Sequence, residues 1–119
     1  MAAAWYQAHG YQLLARNWSC RGGEVEGEID IVACRGNLSV FCEVKARSSA
    51  RFGLPAEAVG PAKQARLRRL AAVWFAQRSP APAEPAAQSP GRGRRAGGPV
   101  RFDVATVLAG GVDVIEGAF

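Results

Sequence analysis

A small α/β domain built on a mixed β-sheet is the fold class this sequence predicts, on three observations. Two alternating, strand-like runs, residues 28–34 and 38–45, flank Gly36-Asn37, the pattern of a two-residue β-hairpin. Leu67, Leu70, Ala71 and Trp74 recur at helical spacing behind Pro61, and proline is favoured as a first helical residue. A third alternating run, residues 100–108, follows that helix. Sheet-building segments on both sides of a helix point to α/β architecture with a mixed sheet.

Each element has its own signal. Residues 2–9 predict a short helix closed by Gly10. His9, the sole histidine, suits the negative end of that helix better than it suits catalysis. Residues 11–20 predict a first strand, and Gly22-Gly23 turns it into the strand at 28–34. After the hairpin comes a polar loop through Arg51, Gly53 and Pro55, then a helix over residues 61–78. Residues 79–99 are rich in Pro, Ala, Gly and Arg and lack large apolar side chains. Such a segment cannot offset its ordering entropy by burial, so a mobile insertion within one domain spanning 1–119 is expected. Gly110-Gly111 then turns the strand at 100–108 into a last one at 112–115.

Bulk properties narrow the function. A chain of 119 residues has room for one core. Its net charge of +5 and pI of about 9.7 favour a polyanionic partner. Nucleic acid is the expected polyanion, because no basic amphipathic helix adjoins an apolar anchor. Neither a run of about 18 apolar residues nor a signal peptide is present, so a soluble, cytoplasmic protein is expected. Three cysteines without C-x-x-C spacing indicate neither a disulfide framework nor a zinc site. A Ser/His/Asp set is excluded with only His9 to serve it, and no Gly-rich phosphate loop exists.

The hairpin carries the candidate chemistry. A two-residue turn at Gly36-Asn37 sets Asp30 opposite Glu43 and Glu28 opposite Lys45. Strand side chains alternate, so all four share one face, while Ile29, Ile31, Val40, Cys42 and Val44 take the other. Two carboxylates with Cβ atoms roughly 5 Å apart repel, and a proton, a cation or the nearby lysine must compensate. A divalent metal held by two carboxylates beside a lysine is apparatus for phosphodiester hydrolysis. The plainer reading is a solvated hairpin face whose charges cancel in a Glu–Lys pair.

Lysine usage bears on the choice. Thirteen arginines accompany only two lysines, Lys45 and Lys63. An ammonium is a compact, mobile donor where guanidinium is a rigid fork. Lys63 lies one turn before Leu67 on the apolar stripe of its helix. It either snorkels from the end of the core or delivers its charge toward the sheet carboxylates. Arg47, Arg66 and Arg69 are candidates for phosphate contact, against the plainer reading of solvated arginines.

Gly10-Tyr11, Arg16-Asn17, Gly27-Glu28-Ile29-Asp30, Phe41 to Arg47, Lys63 with Arg66-Leu67, Arg101 to Val104 and Ala118-Phe119 form an ordered series. In that series the chain resembles the bacterial YraN family. That family sits in the restriction-endonuclease-like, PD-(D/E)xK superfamily, near archaeal Holliday-junction resolvases. The resemblance covers nearly everything outside residues 79–99 and implies an α-β-β-β-α-β core. It implies Asp30 and Glu43 as ligands of Mg2+ or Mn2+, and Lys45 as the group that orients water or stabilises phosphate charge. Glu28 and Lys63 become auxiliary. Relatives also carry a longer first helix with a Gly-x-x-Gly/Ala-Glu stretch, which does not occur ahead of Ala2 here.

The leading expectation is therefore a metal-dependent, nuclease-like protein acting on DNA, branched or damaged DNA included, with homodimerisation allowed. Its rivals are a non-catalytic nucleic-acid-binding module of the same fold and a protein-interaction domain.

Overall fold

A computed structural model describes residues 1–46, 59–78, 98–108 and 110–119. Arg47, the loop through Arg51, Gly53 and Pro55, and residues 79–97 of the expected insertion lie outside the described residues. The described elements run α1 (Ala2–Ala8), β1 (Gln12–Cys20), β2 (Gly27–Arg35), β3 (Leu38–Ala46), α2 (Pro61–Arg78), β4 (Val100–Leu108) and β5 (Gly111–Ile115). This is the expected α-β-β-β-α-β order with one further strand.

The strands form a single five-stranded sheet in sequence order, β1-β2-β3-β4-β5. Neighbours are antiparallel except β3 and β4, which are parallel. A parallel pair needs a crossover connection, and α2 lies within it. At the hairpin, Arg35 pairs with Leu38 across Gly36-Asn37. Gly36 supplies the positive φ, 62°, that the first central position of such a turn requires.

Each sheet face has its own core. On one, Leu67, Leu70, Ala71 and Trp74 of α2 cover Ile29, Val32, Phe41 and Val104. On the other, Ala2 and Tyr6 of α1 cover Ile31, Ala33, Val40, Cys42 and Ala105. Burying side chains of this size contributes about 1.5–3 kcal/mol each, so α2 is held chiefly by its four-residue stripe. The end of α1 is tied down as expected for a histidine cap: the His9 ring stacks on Trp5 at 3.9 Å, and its Nδ1 lies 2.8 Å from the Trp5 carbonyl.

One expectation about faces needs correcting. Ile29 does not share a face with Ile31; it packs under α2 with Val32. The cause lies one strand away. Asn17 adopts a φ of 52°, the only positive φ of a non-glycine among the described residues. The β1–β2 ladder pairs Arg16 with Ile31 and Trp18 with Ile29, skipping Asn17 and Asp30 between them. Ala15 and Trp18 on β1, and Ile29 and Val32 on β2, therefore come to the same face at a spacing of three. Asn17 is among the few residue types that tolerate this conformation.

A buried polar network fastens α1 to β4. Asp103 is fully buried and accepts hydrogen bonds from Tyr6 Oη (2.5 Å), from Arg101 Nε and Nη2 (2.8 and 2.9 Å) and from the Gly117 amide (3.0 Å). Arg101 also donates to Tyr11 Oη at 2.9 Å. Bidentate guanidinium–carboxylate pairing is the geometry that makes a buried charge tolerable. Burial and the Asp103 carboxylate push the Tyr6 phenol far above its ordinary range.

Candidate functional site

The site forms where β2 and β3 stop pairing. Their ladder runs from Arg35–Leu38 to Ile31–Cys42 in the expected register. It ends one step before Asp30 and Glu43, so these two are not ladder partners as the sequence suggested. Asp30 Oδ2 instead accepts the Val44 amide at 2.8 Å. A carboxylate that meets a backbone N–H is stabilised, whereas one set squarely against another carboxylate is not.

Glu43 lies next to the buried Phe41 and Cys42 on β3, and its side chain is only 7% exposed. A carboxylate that deep needs countercharge. Lys63 supplies it from the first turn of α2, its Nζ standing 2.9 Å from Glu43 Oε2. That turn is fixed by the Gln64 side chain, which donates to the Val59 carbonyl at 2.8 Å. Lys45, two residues along β3, reaches the same oxygen at 3.6 Å. Its partner is thus Glu43 rather than Glu28, because the hairpin ladder does not extend that far.

Asp30, Glu43, Lys63, Arg66, Gly27 and Glu28 line one small pocket of about 130 Å3. Gly27 is what lets α2 come so close: a Cβ there would stand 3.0 Å from Leu70 Cδ1 and 3.4 Å from Arg66 Cδ. Burial raises the Asp30 pKa first; the Val44 amide opposes it, Glu43 and Glu28 add to it, and Lys63 pulls it down. Asp30 also borders a second pocket, about 300 Å3, on the α1 side of the sheet with Arg16, Asn17 and Ala2. The face switch at Asn17 puts one carboxylate within reach of both sides.

Of the residues singled out from sequence, the structure brings together Asp30, Glu43, Lys45, Lys63, Glu28 and Arg66. Arg69 lines a separate groove against the β1–β2 turn, and Arg47 is not among the described residues. Two features escaped sequence reasoning. Arg16 and Asn17 border Asp30, which only the skipped ladder pair explains. The Tyr6–Asp103–Arg101 cluster had a weak signal in the alternation of Arg101 and Asp103, but nothing linked it to a tyrosine in α1.

Two carboxylates offer a donor set of hard oxygens suited to Mg2+ or Mn2+. The Val44 amide occupies one Asp30 oxygen and the ammoniums converge on one Glu43 oxygen, so each group has a second oxygen to present. Among the described residues, however, no cluster of three or more His, Cys, Asp or Glu side chains is formed. A metal here would draw its other ligands from water, backbone or substrate.

The model of the family described as "Uncharacterised protein family UPF0102" matches residues 1–107. The chain belongs to this family. That bears out the YraN-type resemblance, which is to the same family. A UPF0102 protein of Leifsonia xyli subsp. xyli is 51% identical over 82 residues, covering 69% of this chain and 66% of the relative. One from Frankia alni is 47% identical over 100 residues, 84% of this chain and 68% of the relative. One from Acidothermus cellulolyticus is 39% identical along the whole chain and covers 87% of that relative. For the Leifsonia protein and several others of about 51% identity, the matched part spans roughly 60–67% of the relative's length. No helix among the described residues of this UPF0102 chain is long and apolar enough to cross a membrane.

Proposed function

We propose that this UPF0102 chain is a metal-dependent, nuclease-like protein acting on DNA, with Asp30 and Glu43 as the metal-binding pair. The observation that carries the reading is one pocket in which Asp30 meets Glu43 while Lys63 and Lys45 converge on a single Glu43 oxygen. A bound Mg2+ or Mn2+ would supply Lewis acidity, activating water and polarising a phosphoryl oxygen. Glu43 and Asp30 would hold the cation, and the Val44 amide fixes the angle of the Asp30 carboxylate. Lys45 is 30% exposed and free to turn from Glu43 toward an incoming phosphate, where its charge stabilises the transition state. Lys63 orients Glu43 through their 2.9 Å ion pair. Arg66 borders the pocket as a phosphate contact.

Thermal unfolding with and without Mn2+ tests this. Binding to the folded state alone adds about 2.7 kcal/mol at a hundredfold excess over Kd, and Asp30→Asn is expected to remove it. Lys45→Ala is expected to retain the metal-dependent stabilisation and lose cleavage of branched DNA in Mn2+. A wild type that gains no stability from Mn2+ sinks the proposal.

A second reading has its own support. Two ammoniums already neutralise Glu43, and no third acid completes a cluster among the described residues. A nucleic-acid-binding module that keeps the fold without the chemistry fits those facts. Salt-dependent DNA binding without metal-dependent stabilisation is its signature.

A further inference from the structure

A third concavity lies near the candidate site and takes no part in the metal chemistry proposed above. It is a groove of about 620 Å3 between the turn joining β1 to β2 and one side of α2. Val25, Ala72 and Val73 form its apolar wall, and Arg21, Arg69 and Gln77 its polar rim, where Glu24 also sits. Neither Arg21 nor Arg69 has an ion-pair partner among the described residues.

The groove and the carboxylate pocket share no lining residue but border neighbouring positions of α2 and of the chain leading into β2. Arg66 borders the pocket and Arg69 the groove, and residues three apart on a helix are neighbours on its surface. On the facing chain, Gly27 borders the pocket and Val25 the groove. Arg66 and Arg69, at the adjoining edges of the two, are thus separated by about one helical turn, roughly 5 Å of rise along α2.

We infer that this groove is a subsite for one unpaired nucleotide, next to the scissile phosphate that Arg66 and Lys45 would meet beside Asp30 and Glu43. Its volume is that of a small-ligand site and cannot admit a duplex. An apolar wall with guanidinium groups at the rim fits an unstacked base: the wall takes its face, arginine stacks on or pairs with it, and an amide such as Gln77 meets its edge. Charge complementarity favours a nucleotide over an uncharged apolar ligand, because Arg21 and Arg69 outnumber Glu24 at the rim and Arg66 borders the neighbouring pocket. The substrate class that results is DNA with an unpaired nucleotide at the scissile position, as at flaps, junctions and gaps, rather than intact duplex.

The assignment rests on the nuclease reading for its orientation, and the experiment separates the two. Binding of fluorescein-labelled dT15 and of a blunt 15-base-pair duplex is measured by anisotropy in EDTA at fixed salt, so that no cleavage intervenes. Wild type is expected to prefer the single strand. Arg69→Ala and Ala72→Glu, the latter placing a carboxylate on the wall from an exposed helix position, are each expected to weaken dT15 binding about tenfold and duplex binding less than twofold. Circular dichroism and melting temperature confirm that both variants are folded. Equal loss on both ligands, no loss on either, or no single-strand preference in wild type overturns the nucleotide subsite. Selective binding that follows this pattern in a protein which Mn2+ does not stabilise upholds the subsite and overturns the nuclease reading.

Discussion

Asp30 and Val44 are joined by a hydrogen bond in which a side chain does the work of a strand: Asp30 Oδ2 receives the Val44 amide at 2.8 Å, where the β2–β3 ladder has already ended. The bond holds a partly desolvated carboxylate at the mouth of the candidate site. Its consequences are measurable through pH.

Burial raises the Asp30 pKa in the folded state above its ordinary value. For an acid shifted upward the folded state binds the proton more tightly, so the associated stability is full below about pH 4, the ordinary aspartate value, and is lost as pH rises through the folded pKa. Asn in its place keeps an oxygen for the Val44 amide and does not ionise. Asp30→Asn is therefore expected to equal wild type near pH 3.5 and to be equally or more stable at pH 7 without metal. Urea denaturation at the two pH values checks this. A variant less stable at pH 7 than at pH 3.5, relative to wild type, contradicts it.

The two lysines are expected to differ. Lys63 lies 2.9 Å from Glu43 and Lys45 lies 3.6 Å. Lys63→Met is expected to cost about 1–3 kcal/mol by leaving a deeply placed carboxylate short of its nearer charge, and Lys45→Met less. In the Glu43→Gln background the cost of Lys63→Met should shrink, a coupling that a double-mutant cycle on denaturation midpoints reads directly.

Asp103 is expected to matter more for stability than any residue of the candidate site. Asp103→Ala leaves the Arg101 guanidinium, 19% exposed, and the Tyr6 hydroxyl without their acceptor, at a cost of about 3–5 kcal/mol. Tyr6→Phe removes one donor and keeps the ion pair, and is expected to cost about 1–2 kcal/mol. Chemical denaturation of both variants gives the comparison, and equal costs contradict it.

Gly27→Ala is expected to disturb the candidate site without touching a charged residue. The added methyl would stand 3.0 Å from Leu70 Cδ1, and overpacking of this kind costs about 1–3 kcal/mol. Pushing α2 outward carries Lys63 away from Glu43. The coupling between Lys63 and Glu43 should fall in this background even when the protein remains folded.

Much of this was legible in the sequence because it depended on local periodicity. Gly36-Asn37 and the runs beside it gave the hairpin register, and the helical spacing of Leu67, Leu70, Ala71 and Trp74 gave the buried stripe of α2. The same alternation brings Asp30, Glu43 and Lys45 to one end of the hairpin, though not as the facing pairs it predicts. The error at Ile29 shows where that logic stops. Alternation assumes an unbroken pleat, and the break is set by Asn17 on a different strand. Lys63 was placed on the right stripe, but its bond to Glu43 depends on how a crossover helix seats against the sheet, which spacing does not encode. The Tyr6–Asp103 pair is separated by 97 positions, and neither residue carries a local cue to the other.

The crossover gives the charges a temporal order. Asp30 and Glu43 lie on adjacent strands of a local hairpin, while their nearer countercharge arrives only with α2. During synthesis the hairpin emerges before α2, so its two acids are made with Lys45 beside them and without Lys63. Arg47 and Arg51 follow in the sequence, yet the further cation set against Glu43 is the ammonium of Lys63, the only other lysine. The acids thereby serve as a mooring for the helix: apolar contacts hold α2 against the sheet, and the charge at its first turn selects how far along it comes to rest.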